Sequence, residues 1–507
     1  PVARPLAAPF GSALAARAFS WRNLFAGGTP GFRINIEEAL RINAAAGGDL
    51  SKCVAFQDSA GTLPVTAMEQ PLGLILDTKL GVPVLGPELV TNGDFSDGLT
   101  GWSSSSSHAT VNTIVDGHVR LEKTSSTANT GRIYRTVPLE IGKTYRISAD
   151  LIGASGTTAS ISVGVGAQTS SYITVSGSGQ VSMIWTATDA APVVRVHTPE
   201  VAEGSWAEWD NISIREIPGN HFIQPSNTAS RPIVSRRVNL LTATATLATQ
   251  SVTTLATSYV LTFGGTGSVT LSGAATGTYS AGTHTITTTA DTLTVTVSGS
   301  VTNADLRLSI DANLPPYQRV TSATDYDEVG FPAYARFDGV DDWLESGVVD
   351  MSSTDEVTVI AGVTKLSDAA AGIVVESSVN ATSNAGAIAL YAPDSAAATY
   401  EYTSRGTASA DATASGQAAP RKSLLSGVSK ISTDTAVLRI NGVQAVTSAT
   451  DQGTGNYGAH KFYMGRRGGL LYPFNGRIYG ITVVGKLLDD STLARAEQAE
   501  RNLGRLY

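Results

Sequence analysis

Hydrolysis of a glycosidic bond needs two carboxyl groups facing each other across roughly 5–10 Å, so the acid-rich runs come first. Glu208-Trp-Asp-Asn-Ile-Ser213 carries two acids two positions apart. Asp210 and Asn211 there are read as serving the fold or a bound cation. Asp338, Asp341 and Asp342 form a second group, but Gly339 and the adjacent Trp343 mark a turn, which gives these acids a structural role. Nucleophilic catalysis has no foothold: no Gly-x-Ser-x-Gly elbow is present, and Cys53 has no histidine near it in sequence to activate it. The six histidines, His108, His118, His197, His221, His284 and His460, lack metal-ligand spacing. Gly264-Gly-Thr-Gly267 lacks the Lys-Ser/Thr of a phosphate loop. What remains is recognition, in which an aromatic face takes a sugar ring and polar groups surround it. The candidates are Trp102, Tyr134, Tyr172, Trp206 and Trp209, then Trp343, Tyr457 and Tyr472. For each, packing in a sandwich core is the competing role. Trp206 and Trp209, an odd number of positions apart, face opposite ways if they share a strand, so one of them is the better surface candidate.

The elements that must position these residues are strands. Only 15% of the 507 residues are charged, against roughly a quarter in an ordinary domain, and the polarity is carried instead by Ser, Thr and 51 glycines. Such a chain favours strands and turns over helices. The apolar fraction of 42% excludes a disordered chain, and one cysteine excludes a disulfide scaffold. A net charge of −8 with no Lys/Arg run argues against duplex DNA or an anionic membrane as the main partner. No apolar run reaches the roughly 20 residues of a membrane span, and Arg17, Trp21 and Arg22 interrupt the stretch where a signal peptide would lie, so none is expected. Helix signals are few. Asn35 with Glu38 resembles a capping box and Gly47-Gly48 a stop, which predicts a helix over 36–46; Asp490 is placed to cap a terminal helix with Leu493, Ala496 and Leu503 inward.

Four stretches carry family resemblances. Phe56 to Asp77, followed by Gly86-Pro-Glu-Leu-Val-Thr-Asn-Gly-Asp-Phe-Ser96, resembles a module of tailed-bacteriophage and prophage structural proteins. The opening Asn92-Gly-Asp-Phe with Trp102, and the closing Trp209-Asp-Asn-Ile-Ser-Ile-Arg215, resemble jelly-roll carbohydrate-binding modules. In those modules a structural calcium is held near the first and last strands, and Asp94 and Asp210 are the matching acids; no other cofactor is called for. Tyr334-Ala-Arg-Phe-Asp-Gly-Val-Asp-Asp-Trp-Leu-Glu345, Leu438-Arg-Ile-Asn-Gly-Val-Gln444 and Phe474-Asn-Gly-Arg-Ile-Tyr-Gly-Ile-Thr-Val-Val484 resemble concanavalin A-like or laminin-G-like sandwiches. Glycanases of that fold carry Glu-x-Asp-x-x-Glu on one strand, and the Glu208 run lacks the last acid and falls in another domain. Finally, Pro225-Ser-Asn-Thr-Ala-Ser-Arg-Pro232 is similar to the lead-in that precedes the Phe-Asp-Gly-Val-Asp-Asp strand in phage proteins, which places the intervening Thr-rich segment as an insertion.

The fold class expected is mainly β: serial β-sandwiches after a short, partly helical N-terminal segment. The domains are an attachment segment over 1–52, a small β linker over 53–86, a jelly roll over 87–217, a Thr/Gly-rich sandwich over 236–312 and a C-terminal sandwich with a terminal helix over 315–507. The resemblances imply a bacteriophage virion protein, a tail fibre, tail-tip or capsid appendage. It would be joined to other virion proteins by its N-terminal segment, be homo-oligomeric and most naturally trimeric, and bind host surface glycans without nucleic acid or membrane insertion. The sugar-binding residues expected are Trp102, Tyr134, Trp206, Trp343 and Tyr457. Two alternatives stand beside this reading: a polysaccharide depolymerase with accessory modules, and a spacer protein without a ligand.

Overall fold

The computed structural model describes residues 19–506 except 105–107, 127–128, 157, 165–170, 177 and 226. The alternation of apolar and hydroxyl residues does produce antiparallel strands nearly throughout, arranged in five sheets. Two of these sheets, of eight and nine strands, pack into one large sandwich built from distant parts of the chain.

The eight-stranded sheet runs Ile233–Ser235, Tyr334–Asp338, Asn475–Val484, Glu356–Lys365, Arg421–Lys430, Thr435–Ile440, Val443–Ser448. Its eighth member, Gly31–Asn35, lies along residues 480–484 of Asn475–Val484, while Tyr334–Asp338 lies along residues 475–478. The nine-stranded sheet runs Ala55–Phe56, Leu74–Ile75, Phe222–Ile223, Leu344–Asp350, Ala459–Met464, Ile373–Ser377, Ala387–Tyr391, Thr399–Arg405, Ser409–Ser415. Phe32, Phe56, Leu74 and Phe222 enter the same core as Val359, Phe462 and Ile481. The stretches expected as a separate attachment segment and linker therefore supply strands to the C-terminal sandwich, and 315–507 is not a complete unit. Two-residue strands leave no periodicity in the sequence, which is why they read as linker.

Both other modules sit inside this sandwich as insertions. Residues 87–217 lie between the paired strands Leu74–Ile75 and Phe222–Ile223. They form two five-stranded sheets around their own core, which includes Val119, Ile147, Ile161, Val194 and Trp209. The Thr-rich segment lies between Ile233–Ser235 and Tyr334–Asp338, which pair with each other. It is one five-stranded sheet whose long strand, Ser258–Gly273, changes register between Phe263 and Ser268. The strand pairs with Val301–Leu308 mainly before that break and with Thr292–Ser298 after it, and all these strands share one core. Gly265 at the break has φ +102, and a Cβ there would stand 2.2 Å from the Ser300 carbonyl, so only glycine fits. Cross-strand hydroxyl pairs, Thr262 with Thr283 at 3.2 Å and Thr270 with Thr278 at 3.0 Å, do on its surface what charges do elsewhere. Asp311, at the end of this insertion, is buried between Lys422 Nζ at 2.5 Å and Arg477 Nη1 at 2.8 Å of the large sandwich.

Among the described residues the two α-helices fall where the sequence placed them. Ile36–Ala46 is capped by Asn35, whose side chain accepts from the Glu38 N–H, and Gly47 ends it at φ +59. In Asp490–Gly504 the cap is Asp489, one residue earlier than expected; its side chain accepts from the Thr492 N–H. No helix of the described residues is long and apolar enough to cross a membrane.

Candidate functional site

The inserted module's sheet of Ser171–Ser176, Thr158–Gly164, Val193–His197, Arg132–Thr136 and Ser103–Ser104 sends Ile133, Ala159, Ile161, Val163, Val194 and Val196 into the core. Period two then puts Arg132, Tyr134, Ser160, Ser162, Arg195 and His197 on the other face. Register assembles them into two rows. Arg195 lies opposite Tyr134 on one side and Ser162 on the other, and His197 lies opposite Arg132 and Ser160. Ser103 extends the first row beside Tyr134. Tyr172 extends it beside Ser162 by register, although its side chain lies outside the described residues.

This face is polar yet enclosed. Arg195 is 2% exposed and His197 5%, whereas Arg132 and Tyr134 are half-buried. The His197 ring is held at both nitrogens, Nε2 2.9 Å from Ser162 Oγ and Nδ1 3.2 Å from Thr130 Oγ1. Burial, with the positive charges of Arg132, Arg195 and His108 adding to it, pushes its pKa down to about 3, so the imidazole is neutral at any ordinary pH. Beneath the face, Trp209 Nε1 donates to the His197 carbonyl at 3.1 Å and braces the strand from inside the core. Arg195 Nη1 donates to the Val193 carbonyl at 3.1 Å, and the buried Nε of Arg132 has no hydrogen-bond partner. Burial lowers the pKa of both arginines without neutralising either. A ring, two guanidinium forks, hydroxyls and a neutral imidazole are the groups that hold a polar ring by its edges and one face.

Of the expected sugar-binding residues, only Tyr134 lies on this face. Trp102 is core: it is 9% exposed, packs 5.4 Å from the Phe95 ring and donates Nε1 to the Asn92 carbonyl at 2.9 Å. Tyr457 is core as well, 2% exposed, with its hydroxyl 2.8 Å from Ser404 Oγ and 2.7 Å from Ser429 Oγ. Trp206 and Trp209 do face opposite ways, Trp209 inward. Trp206 lies on the outer side of the opposite sheet, where the Arg120 guanidinium covers its ring at 4.1 Å and so occupies a stacking surface. Trp343 is half-buried in the large sandwich, its ring 6.2 Å from that of Tyr463 and against Gly469. Sequence reasoning missed Arg132, Arg195 and His197; the alternation of strand 193–197 was the available signal.

Asp94 and Asp210, the acids expected near a calcium, lie close enough for their charges to interact. Asp94 is exposed and accepts from Ser96 Oγ at 2.9 Å, and Asp210 accepts from the Asn211 N–H at 2.8 Å. Burial raises the pKa of Asp210, and the charges of Asp150 and Asp94 add to that. Among the described residues, the one group of three such ligand side chains within 4.8 Å of one another is Asp338, Asp341 and Asp342. Those oxygens tie their own turn: Asp342 accepts from the Asp338 N–H at 3.0 Å, Asp338 from the Val340 N–H at 2.8 Å, and Asp341 from Ser230 Oγ at 2.7 Å.

Residues 87–191 match the family model described as a carbohydrate-binding domain. The chain matches no curated protein. Among solved structures it is similar to the CBM40 of the Ruminococcus gnavus IT-sialidase bound to α2,3-sialyllactose, at 18% identity and a TM-score of 0.25, covering 32% of this chain and 95% of that one. It is also similar to the heptameric SAP-like pentraxin of Limulus polyphemus, at 13% identity and a TM-score of 0.25, covering 33% of this chain and 80% of that one. The segment that matches a carbohydrate-binding domain thus lies in a β-sandwich set into a larger sandwich.

Proposed function

We propose that this chain binds glycans through the face of Tyr134, Arg132, Arg195, Ser162 and His197, and that it does so as a surface attachment protein of a bacteriophage particle. The observation that carries the glycan reading is that Arg132, Tyr134 and Ser162 of this face lie within the segment 87–191 that matches a carbohydrate-binding domain, with Arg195 and His197 on the strand just after it. The virion reading rests on the resemblance of residues 53–96 and 331–507 to phage structural modules. It is supported by the joining of strands from both stretches into one sandwich. Several copies, most naturally three, would add weak contacts through effective concentration.

Glycan arrays and calorimetry on the full chain test the first part. Binding is expected, and Tyr134→Ala should weaken it about tenfold or more, in line with the loss of one stacking and hydrogen-bonding ring. An array with no bound glycan defeats the reading. Mass spectrometry of purified particles tests the second part, which fails if the chain is missing from them.

A further inference from the structure

We infer that the jelly roll carries a second binding site, centred on Arg146 where the module meets the large sandwich, whose ligand is a small oxyanion such as phosphate or sulfate. It lies on the sheet opposite the glycan face, the one formed by Gly179–Thr186, Thr144–Ala154, Trp206–Glu216, His118–Lys123 and Thr110–Val115.

The strands build the site. Tyr145, Ile147 and Ala149 enter the module's core, so period two turns Arg146 and Ser148 outward. Register sets Arg146 between Ile184 and Arg215, and Ser148 between Ser182 and Ser213. Two residues from outside these strands close over them: Ser51, just after the helix Ile36–Ala46 of the large sandwich, and Leu85, on the connection into the module. Together with Gln180 they enclose a pocket of about 130 Å³. A single water needs roughly 10–15 Å³, so the pocket has room for a group of several atoms.

The charge of Arg146 is not matched. The residue is 4% exposed; its Nη1 donates to Ser182 Oγ at 3.2 Å, a neutral acceptor, and its Nε has no hydrogen-bond partner. Burial pulls its pKa down to about 10, which leaves it a cation at ordinary pH. The acids nearby are bound to other cations. Glu88 pairs with Arg215 at 3.1 Å and accepts from Ser213 Oγ at 2.5 Å. Asp49, whose charge reaches Arg146, pairs with Lys52 at 2.7 Å and accepts from Ser51 Oγ at 2.6 Å. Burial raises the pKa of Cys53, so that neighbour is a neutral thiol. A buried guanidinium with one neutral hydrogen bond is unfavourable, and an oxyanion compensates it with short, charge-assisted bonds. The hydroxyls of Ser148 and Ser182 are placed to donate to its remaining oxygens. Because Ser51 belongs to the sandwich and Arg146 to the module, such an anion would tie one to the other.

Calorimetry and thermal melts of the full chain in sodium phosphate, sulfate and acetate, against chloride at equal ionic strength, test the site. At least one oxyanion is expected to bind saturably at a single site and to raise the melting temperature by about 1–3 °C near saturation. Phosphate and sulfate also stabilise proteins through exclusion from their surfaces, an effect that does not saturate and that a variant shares with its parent. Arg146→Met removes the charge and should weaken the saturable binding about tenfold or more. In chloride it should melt no lower than the parent, since it removes an uncompensated buried charge. Ser148→Val leaves Arg146 in place and puts methyl groups into the pocket; it should weaken binding likewise, and it carries the test if the first variant does not fold. Absence of saturable binding by all of these anions overturns the inference. So does binding that survives either substitution in a folded protein, which would give Arg146 a role in the fold alone. Either failure leaves the glycan reading standing.

Discussion

Glu500, on the terminal helix, is a carboxyl in a place that does not tolerate charge. It is 1% exposed; Oε1 accepts from Asn35 Nδ2 at 2.9 Å, and Oε2 has no partner. Burial pushes its pKa up to about 7, against the pull of the Arg33 charge. A carboxyl with a folded pKa above its unfolded value holds a proton in the folded state that the unfolded chain has released. Stability should therefore fall as pH rises from about 4.5 to 7 and level off above that, by up to about 3 kcal/mol for this one group. Asp342, raised to about 7 by burial and by its neighbours Asp338 and Asp341, adds a slope of the same sign. Glu500→Gln, which keeps the shape and removes the titration, should raise the melting temperature at pH 8, leave it little changed at pH 4.5 and reduce the slope between them. Thermal melts of both proteins across that range check it, and a slope unaltered by the substitution would contradict the assignment.

At the scale of elements, Gly31–Asn35 shows how a strand can be decisive and nearly silent in sequence. Phe32 and Ile34 alternate correctly, but Arg33 between them reads as a surface residue. In the structure it is fully buried, its guanidinium 4.3 Å from the Trp21 ring centroid and bonded to Glu38. Gly31 has φ +130, and a Cβ there would meet the Val483 carbonyl at 2.0 Å. Gly31→Ala should lift this strand from Asn475–Val484 and cost about 2 kcal/mol or more. Hydrogen exchange should then quicken at residues 480–484 and stay unchanged in the jelly roll. The helix that follows was legible because capping residues act locally, within one turn. The two-residue strands at 55–56, 74–75 and 222–223 were not, because pairing across long loops leaves no local pattern. The outer polar face of the jelly roll followed the same division. Tyr134 could be nominated by type alone, whereas Arg132, Arg195 and His197 become a site only through register across three strands, and a polar residue facing out of a sheet looks in sequence like any solvated one.

The whole molecule is one sandwich interrupted twice, and that architecture dictates which pieces can stand alone. Where the jelly roll leaves the sandwich, its two ends are side by side: the Gly86 N–H donates to the Glu216 carbonyl at 2.9 Å and the Leu89 N–H to the Ile214 carbonyl at 3.0 Å. A short linker can therefore replace it without pulling the strands at 74–75 and 222–223 apart. Its core is separate from the large one, save at Ile217 and at Ile184, which both pack with the large core; Ile184 also donates its N–H to the Ala60 carbonyl at 2.6 Å. By contrast, residues 315–507 lack Gly31–Asn35, Ala55–Phe56, Leu74–Ile75, Phe222–Ile223 and Ile233–Ser235. Without them Ile481 and Val483 lose the cover of Phe32 and Ile34, and sheet edges lose their partners. Three proteins separate these cases: the isolated module 87–217, the chain with that module replaced by a glycine-serine linker, and the fragment 315–507. The first two should be monomeric or retain the parent's oligomeric state, with cooperative melts, because each keeps a closed core. The third should aggregate or melt without cooperativity. A soluble 315–507 with a sharp transition would show that the five upstream strands decorate the sandwich rather than complete it.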